Sequence, residues 1–144
     1  MATIPPLPTQ LALEIVTPDR SLVRDDVDEV QVPAAEGYMG ILPGHTPLLA
    51  ALQVGELTYR KGQEQFHLHV AFGFVEVLPD RVTILAQVGE RPEDIDIARA
   101  EAAKKRAEQR LAQPVVNIDF ERARIAMMKS LIRQQVAARA RTRA

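Results

Sequence analysis

Hydrophobic and polar residues alternate along much of the first ninety positions, which predicts a series of short β-strands. The clearest alternation covers residues 65–72, where Phe66, Leu68, Val70 and Phe72 share one face. Strands are predicted over residues 11–16, 22–24, 27–32, 56–60, 65–72, 74–77 and 81–86. Because no helical pattern separates these segments, they indicate an antiparallel sandwich or flattened barrel.

Several residues are expected to interrupt these strands. Asp25 and Asp26 should end the second strand, and Pro33 should end the third. Gly73 should form a bulge or a tight bend. The second face of the 65–72 strand carries His67 and His69, and we expect it to face solvent.

The pattern changes at Pro92, after which Ala, Glu, Lys and Arg dominate. A helix is predicted over 93–112, Pro114 should stop it, and Asn117 should cap a second helix over 118–140. Small and apolar residues should line these helices: Ile97, Ala100, Ala107 and Leu111 on the first, then Phe120, Ala123, Met127 and Leu131 on the second, with Met128, Ile132 and Val136 beside them. We therefore predict an α+β protein, with an N-terminal antiparallel β-sandwich over 1–90 and a C-terminal two-helix α-hairpin over 91–144.

Charge divides the chain at almost the same place. Residues 1–96 hold 15 acidic and 6 basic side chains, whereas residues 97–144 hold 4 acidic and 12 basic ones. Such a division suggests segments with different partners, and the basic one could meet acidic protein, nucleic acid or phosphate. The absence of cysteine excludes disulfides and thiol chemistry. We expect neither a signal peptide nor a membrane span.

Candidate chemistry is sparse. His67 and His69 could hold a metal with Glu76 near in sequence, but no second cluster supplies further ligands. No nucleophile elbow or Walker-type phosphate loop is present, so we expect no catalytic site. A nucleic-acid adaptor is a second alternative, although Phe120 is the only aromatic residue of the basic second helix.

The most distinctive stretch is residues 36–49, which combine three glycines, two prolines and a histidine. Its order, Glu-Gly-Tyr-Met-Gly-Ile-Leu-Pro-Gly-His-Thr-Pro-Leu-Leu, resembles the signature of the epsilon subunit of F-type ATP synthases. The resemblance continues, in the family's order, through residues 16–20, 27–30, 55–62, 73–77 and 82–86. It covers most of residues 11–112 and weakens toward the end of the chain.

This resemblance implies a non-catalytic rotor subunit in the central stalk of a proton-translocating ATP synthase. The implied partners are the gamma subunit, the ring of c subunits and the catalytic alpha and beta subunits, with no nucleic acid. No cofactor is required, and the implied location is peripheral, on the cytoplasmic face of the bacterial cell membrane.

Residues 95–100, Ile-Asp-Ile-Ala-Arg-Ala, are similar to a motif that helps some bacterial epsilon subunits bind regulatory ATP. The resemblance assigns to this site Glu90, Ile95, Asp96, Arg99, Ala100, Arg106, Lys129 and Arg133. Lys129 stands where nucleotide-binding members carry an arginine, so a bidentate contact is lost there. The alternative is that Asp96 and Arg99 form an ordinary surface pair.

The resemblance also implies two protein interfaces. Glu36, Tyr38, Leu42 and His45 are assigned to the surface that faces the ring and gamma, with Tyr38 in a place where some members carry an acidic residue. Contacts that inhibit the catalytic subunits are assigned to Arg122, Arg124, Arg133 and Arg139. The hairpin is expected to exchange between a folded state, favoured by ATP, and an extended state that impedes ATP hydrolysis.

Overall fold

The structure, a computed structural model, describes residues 3–112 and 119–143. Its N-terminal strands are β1 (Leu11–Val16), β2 (Ser21–Val27), β3 (Glu29–Ala34), β4 (Gly37–Ile41), β5 (Leu48–Leu52), β6 (Gly55–Lys61), β7 (Glu64–Leu78) and β8 (Arg81–Glu90). They pair in the order β2-β1-β8-β7-β5-β3-β4, and β6 joins β3 and β7. The predicted β-sandwich is confirmed, with one exception to its antiparallel order, because β1 and β8 run parallel.

The core of the sandwich comes from the alternating faces of these strands. In β1, Leu11, Leu13 and Ile15 are buried while the residues between them are more exposed. They join a cluster of aliphatic side chains that includes Leu68 and Ile84. Burying alternate apolar residues in this way fixes the register of each strand, since a shift of one residue would turn the apolar set outward.

Two predicted strand breaks are wrong. β2 continues through Asp25 and Asp26, because it lies at one end of the strand order and Asp25 meets the Lys61 amine at 2.7 Å. The hydrogen bond from Lys61 lowers the pKa of the Asp25 carboxyl. β3 likewise continues past Pro33 to Ala34, and the Pro33 carbonyl accepts a hydrogen bond from the Gln53 amide at 2.9 Å.

The stretch 36–49 contains more regular structure than predicted. β4 lies inside it and pairs with β3, and β5 begins at its end and pairs with β7. β8 also continues beyond position 86 to Glu90. Glycine and proline obscured β4 and the start of β5, because each lowers strand propensity although the backbone still pairs.

β7 is one bent strand rather than the two separate strands predicted. The expected bend is present, with positive φ angles of 60° at Phe72 and 122° at Gly73. A Cβ at Gly73 would lie 2.0 Å from the carbonyl oxygen of Leu85. The bend lies where the neighbour of β7 changes from β6 to β5, so Gly73 lets one strand serve both layers.

The C-terminal region begins with a short 3-10 helix (Pro92–Asp94), followed by α1 (Ile97–Ala112) and α2 (Asp119–Arg143). The predicted start of α1 at residue 93 is wrong. Asp96 caps the helix, since its Oδ1 accepts a hydrogen bond from the Arg99 amide at 3.0 Å. The predicted stop at Pro114 and cap at Asn117 lie outside the described residues.

α1 and α2 pack together as the predicted hairpin. Their buried residues are mostly small, which lets the helices approach closely, and include Ala100, Ala107, Ala123 and Ser130. The predicted stripe on α2 is wrong in part, because Phe120 and Leu131 are 51% and 43% exposed. None of the described helices is both long and apolar enough to cross a bilayer.

Candidate functional site

One face of the sandwich is covered by α2. Strand register places Glu56 of β6 opposite His69 of β7, and His69 opposite Glu90 of β8. His67 lies two residues from His69 and therefore shares its face of the strand. α2 crosses this row from Lys129, near Phe72, to Arg139. We call the contacts between α2 and this face of β6, β7 and β8 the docking interface.

Glu90 is the centre of the first polar cluster in the docking interface. Its Oε2 accepts hydrogen bonds from the Arg133 Nε at 2.8 Å and the His69 Nδ1 at 2.9 Å, and its Oε1 accepts one from the Arg133 Nη2 at 2.9 Å. Burial raises the pKa of Glu90, but the hydrogen bonds from His69 and Arg133 outweigh it and hold the pKa below its ordinary value. Glu90 is thus an ionised anchor for α2.

Glu56 is the centre of the second polar cluster and is itself buried. Its Oε1 lies 2.6 Å from the His67 Nδ1 and 3.6 Å from the Arg139 Nε. Its Oε2 accepts a hydrogen bond from the Gln135 amide at 2.8 Å. Two turns of α2 are therefore held by one carboxylate of β6.

Apolar contacts complete the docking interface. Ile95, just before α1, is buried against Val136 and Ala137 of α2, and Ile97 and Ile132 pack around them. Farther along, the Lys129 amine lies 5.6 Å from the centroid of the Phe72 ring, within range of a cation–π contact. This apolar group is much smaller than the sandwich core.

The structure brings together some of the residues predicted to bind ATP. Glu90 and Arg133 form a direct ion pair, and Ile95 lies in the apolar part of the same interface. Asp96 acts as the helix cap, not as half of the alternative side-chain pair with Arg99. Glu90 and Arg133 therefore bind each other, whereas the prediction assigned both residues to a nucleotide.

The other predicted ATP residues are dispersed. Ala100 is buried inside the hairpin, and Lys129 contacts Phe72. Arg99 and Arg106 are exposed on α1 and make no ion pair with another described residue. Among the residues predicted to bind ATP, these are the two whose guanidinium groups are available to an anion from solution.

The predicted solvent-facing position of the histidines is wrong, because α2 covers them. His69 is 1% exposed, and His67 is largely buried. Each is paired with a carboxylate, whereas Glu76 is exposed beyond the bend of β7. Within the part of the chain that the structure describes, no group of three or more ligand-type side chains is placed to hold a metal.

The residues predicted to face the ring lie at the two ends of β4. Glu36 and Tyr38 stand at its beginning, and Leu42 and His45 follow its end. At about 3.3 Å per residue, Tyr38 and Leu42 are separated along this strand by roughly 13 Å. The Tyr38 hydroxyl accepts a hydrogen bond from the backbone amide of Glu56 at 3.2 Å, and both Tyr38 and Leu42 are more than half exposed.

A second exposed surface was not predicted. Strand register aligns Ala51, Phe74, Leu85 and Val16 across β5, β7, β8 and β1. Phe74 and Leu85 are 58% and 55% exposed, and Leu49, two residues from Ala51, is 69% exposed. We call these four aligned residues, together with Leu49, the apolar row. The only sequence signal was that alternate residues of these strands are apolar on both faces, which exceeds what a single core requires.

The four arginines predicted to contact catalytic subunits fall into two groups. Arg133 and Arg139 are engaged with Glu90 and Glu56 in the docking interface. Arg122 and Arg124 are exposed near the start of α2, where Arg124 pairs with Glu121 at 3.1 Å. Arg133 is largely buried while α2 is docked, whereas Arg122, Arg124 and Arg139 are exposed.

Comparison with protein families matches both parts of the chain. Residues 10–92 match the β-sandwich domain of the ATP synthase delta/epsilon chain, and residues 93–138 match its long α-helix domain. The ATP synthase epsilon chain of Solibacter usitatus is 49% identical over 131 residues, which cover 91% of this chain and 98% of that one. The epsilon chain of Koribacter versatilis is 58% identical over 98 residues, which cover 68% of this chain and 69% of that one.

A solved structure has a similar fold. It is a chain in the cryo-EM structure of the OSCP/F1/c-ring part of the Euglena gracilis mitochondrial ATP synthase in rotational state 1. The TM-score is 0.79 at 23% sequence identity, over 93% of this chain and 84% of that chain. The sandwich and the helical hairpin therefore recur together in one chain of another assembly.

Proposed function

This chain belongs to the ATP synthase delta/epsilon chain family, as an epsilon chain, and we propose that it is a non-catalytic subunit of the central stalk. In that role it couples rotation of the c ring to the catalytic head of a proton-translocating synthase. The observation that carries the proposal is a sandwich that holds a helical hairpin on one face and leaves the apolar row exposed on another. Its place is peripheral, on the cytoplasmic face of the bacterial membrane.

The apolar row is the proposed contact with the gamma subunit. Three large apolar side chains, Leu49, Phe74 and Leu85, stand exposed on neighbouring strands, and such a surface is typical of a protein interface. The end of β4 that carries Leu42 and His45 is the proposed contact with the c ring. With these two surfaces, the sandwich would contact both neighbours while the hairpin remained free to respond.

The hairpin is the proposed brake on ATP hydrolysis. Its docked state pairs Arg133 with Glu90 and Arg139 with Glu56, so both ion pairs must break before these residues can pair with a catalytic subunit instead. Arg122 and Arg124 stay exposed and are suited to the first encounter with an acidic partner surface. A small apolar contact is consistent with two states separated by a few kcal/mol.

The test is ATP hydrolysis by the reconstituted complex carrying Arg122→Glu and Arg124→Glu together. We expect hydrolysis to rise several-fold, because reversed charge would repel the acidic partner. Arg110→Glu, on the exposed surface of α1, is the matched control and should leave hydrolysis unchanged. Unchanged hydrolysis in the double variant, with normal assembly, would contradict the proposed inhibitory role of the hairpin but not the proposed role in the central stalk.

Regulatory ATP is the proposed ligand of the hairpin. Arg99 and Arg106 can meet phosphate directly, but a nucleotide that also used Arg133 would have to displace Glu90. Binding should therefore be weak, and titration calorimetry should show it fall further in Arg99→Gln. Absence of binding heat at millimolar ATP would leave the subunit without a nucleotide site.

A further inference from the structure

His69 has an unusual environment in the docked state. Its ring is almost fully buried and its Nδ1 contacts the Glu90 carboxylate, which can only accept a hydrogen bond. The Nδ1 must therefore carry the hydrogen. Its buried Nε2 has no hydrogen-bond partner among the described residues. Adding a proton there would bury an N–H group without an acceptor, which is costly.

The charged residues around His69 also offer a protonated ring little net attraction. Glu90, on β8, is already neutralised by the bidentate Arg133 of α2. Glu56, on β6, is already held by Gln135 and Arg139. A positive imidazolium at His69 would therefore lie among carboxylates whose charge α2 has already balanced.

His67 meets a similar competition. Its Nδ1 and the Arg139 Nε approach the same oxygen of Glu56, at 2.6 Å and 3.6 Å. His67 also lines a cleft of about 370 Å³ between the sandwich, the 3-10 helix and the end of α2. The charged residues lining this cleft are Arg24, Asp25, Arg91, Glu93 and Arg139. While α2 is docked, a charged His67 would have to share the Glu56 carboxylate with Arg139.

Release of α2 reverses both situations. Arg133, Gln135 and Arg139 leave with the helix, while Glu56 and Glu90 remain on the sandwich beside the two histidines. Each carboxylate then lacks its guanidinium, and water can accept a hydrogen bond from either ring. We propose that His67 and His69 form a proton-sensitive latch, so that mild acidification releases α2 from the sandwich.

The direction follows from linkage. The released state takes up more protons than the docked state, so its population grows as pH falls. Histidine is the side chain whose charge ordinarily changes between about pH 5 and 8, so the response is to be measured within that range. One proton taken up per histidine changes the ratio of released to docked protein by at most about tenfold per pH unit. The consequence for ATP hydrolysis rests on the proposed function, but the latch itself belongs to the isolated chain.

The chain has no cysteine, so two can be introduced for labelling. Gln63, in the turn before β7, and Ala138, near the end of α2, are both exposed. α2 runs along β7 toward this turn, so release should lengthen the distance between the labels. Single-molecule energy transfer on Gln63→Cys/Ala138→Cys protein gives the ratio of released to docked molecules. We expect this ratio to rise about tenfold from pH 7.5 to 5.5.

The decisive variant combines His67→Asn with His69→Asn. The amide nitrogen of asparagine can replace Nδ1 as a donor to each carboxylate, but it does not titrate. The pH response should disappear in this variant and persist in His45→Asn, which removes the third histidine, outside the docking interface. An unchanged response in the double variant would overturn the proposal, as would a flat response in the parent protein.

The released state must be populated enough for its change with pH to be measured. Ile132→Ala removes an apolar contact of α2 and raises the released population at every pH. The pH response should therefore be measured in this background as well, and a flat response there overturns the latch. ATP hydrolysis by the complex is a separate measurement. A latch that responds to pH without changing hydrolysis would preserve the proposal and reject the brake.

Discussion

Arg133 binds both carboxylate oxygens of Glu90, although the two residues are 43 positions apart in the chain. The pair joins the last residue of β8 to the middle of α2, and so connects the sandwich to the hairpin. Because Glu90 also accepts a hydrogen bond from His69, one carboxylate links two strands and a helix. Its loss should affect docking of the hairpin more than folding of the sandwich.

We expect Glu90→Gln to weaken docking by about 1–3 kcal/mol, since a charge-assisted bidentate pair becomes a neutral contact. Hydrogen exchange of α2 amides should accelerate, while exchange of β1 and β8 amides stays near that of the parent protein. Glu121→Gln is the matched control, because Glu121 also pairs with an arginine of α2 but is exposed. Equal acceleration in both variants would contradict the anchoring role of Glu90.

Docking should also be lost in acid through Glu90. Its pKa is lowered in the folded protein from an ordinary value of 4.5. Its stabilising contribution is therefore complete above about pH 4.5 and disappears as pH falls through the lowered value. Energy transfer between labels at Gln63→Cys and Ala138→Cys should show release of α2 below pH 4.5, at lower pH than the histidine response. In Glu90→Gln this acid step should be reduced, and an identical step would assign it to another carboxylate.

The sandwich was largely predictable because its strands follow a local rule. Period-two alternation of apolar residues identifies β1 and much of β7 directly from the sequence, although residues 68–71 of β7 are all buried in the structure. β4 was missed because two of its five residues are glycines, so its pairing with β3 has little local signal. Pairing across the sheet also decided β2, where Lys61 compensates for Asp25 from a distant strand.

The docking interface was less predictable, since it depends on residues far apart in the chain. The histidines looked like solvent-facing residues because nothing near them in sequence shows that α2 covers them. Glu56 and Gln135 lie 79 positions apart, and neither had any distinguishing local pattern. Glu90 and Arg133 were singled out through the family resemblance, but the prediction gave them a nucleotide rather than each other as partner.

The bend of β7 offers a stability prediction. Gly73→Ala should destabilise the protein by at least about 3 kcal/mol, because φ is 122° and the new Cβ would lie 2.0 Å from the Leu85 carbonyl. Gly40→Ala is the matched control, since its Cβ would meet no atom within 4 Å and its φ is not in the left-handed region. Chemical denaturation should separate the two variants clearly. Similar midpoints would mean that the bend tolerates a side chain.

The apolar row offers the final prediction. Phe74→Ser combined with Leu85→Ser should weaken binding to an epsilon-depleted complex that retains gamma by at least tenfold, because two exposed apolar contacts are lost from one surface. The fold should remain intact, since both side chains point away from the sandwich core.

Leu42→Ser is the matched control for this double variant, as it removes an equally exposed leucine at the end of β4. Binding to the gamma-containing complex without its c ring should then be unchanged, whereas binding to the complete complex should fall. If Leu42→Ser instead weakened binding in the absence of the ring and the double variant did not, the two surfaces would have to exchange partners. Because the apolar row and the end of β4 belong to different parts of the sandwich, the two assays together assign each surface to its neighbour.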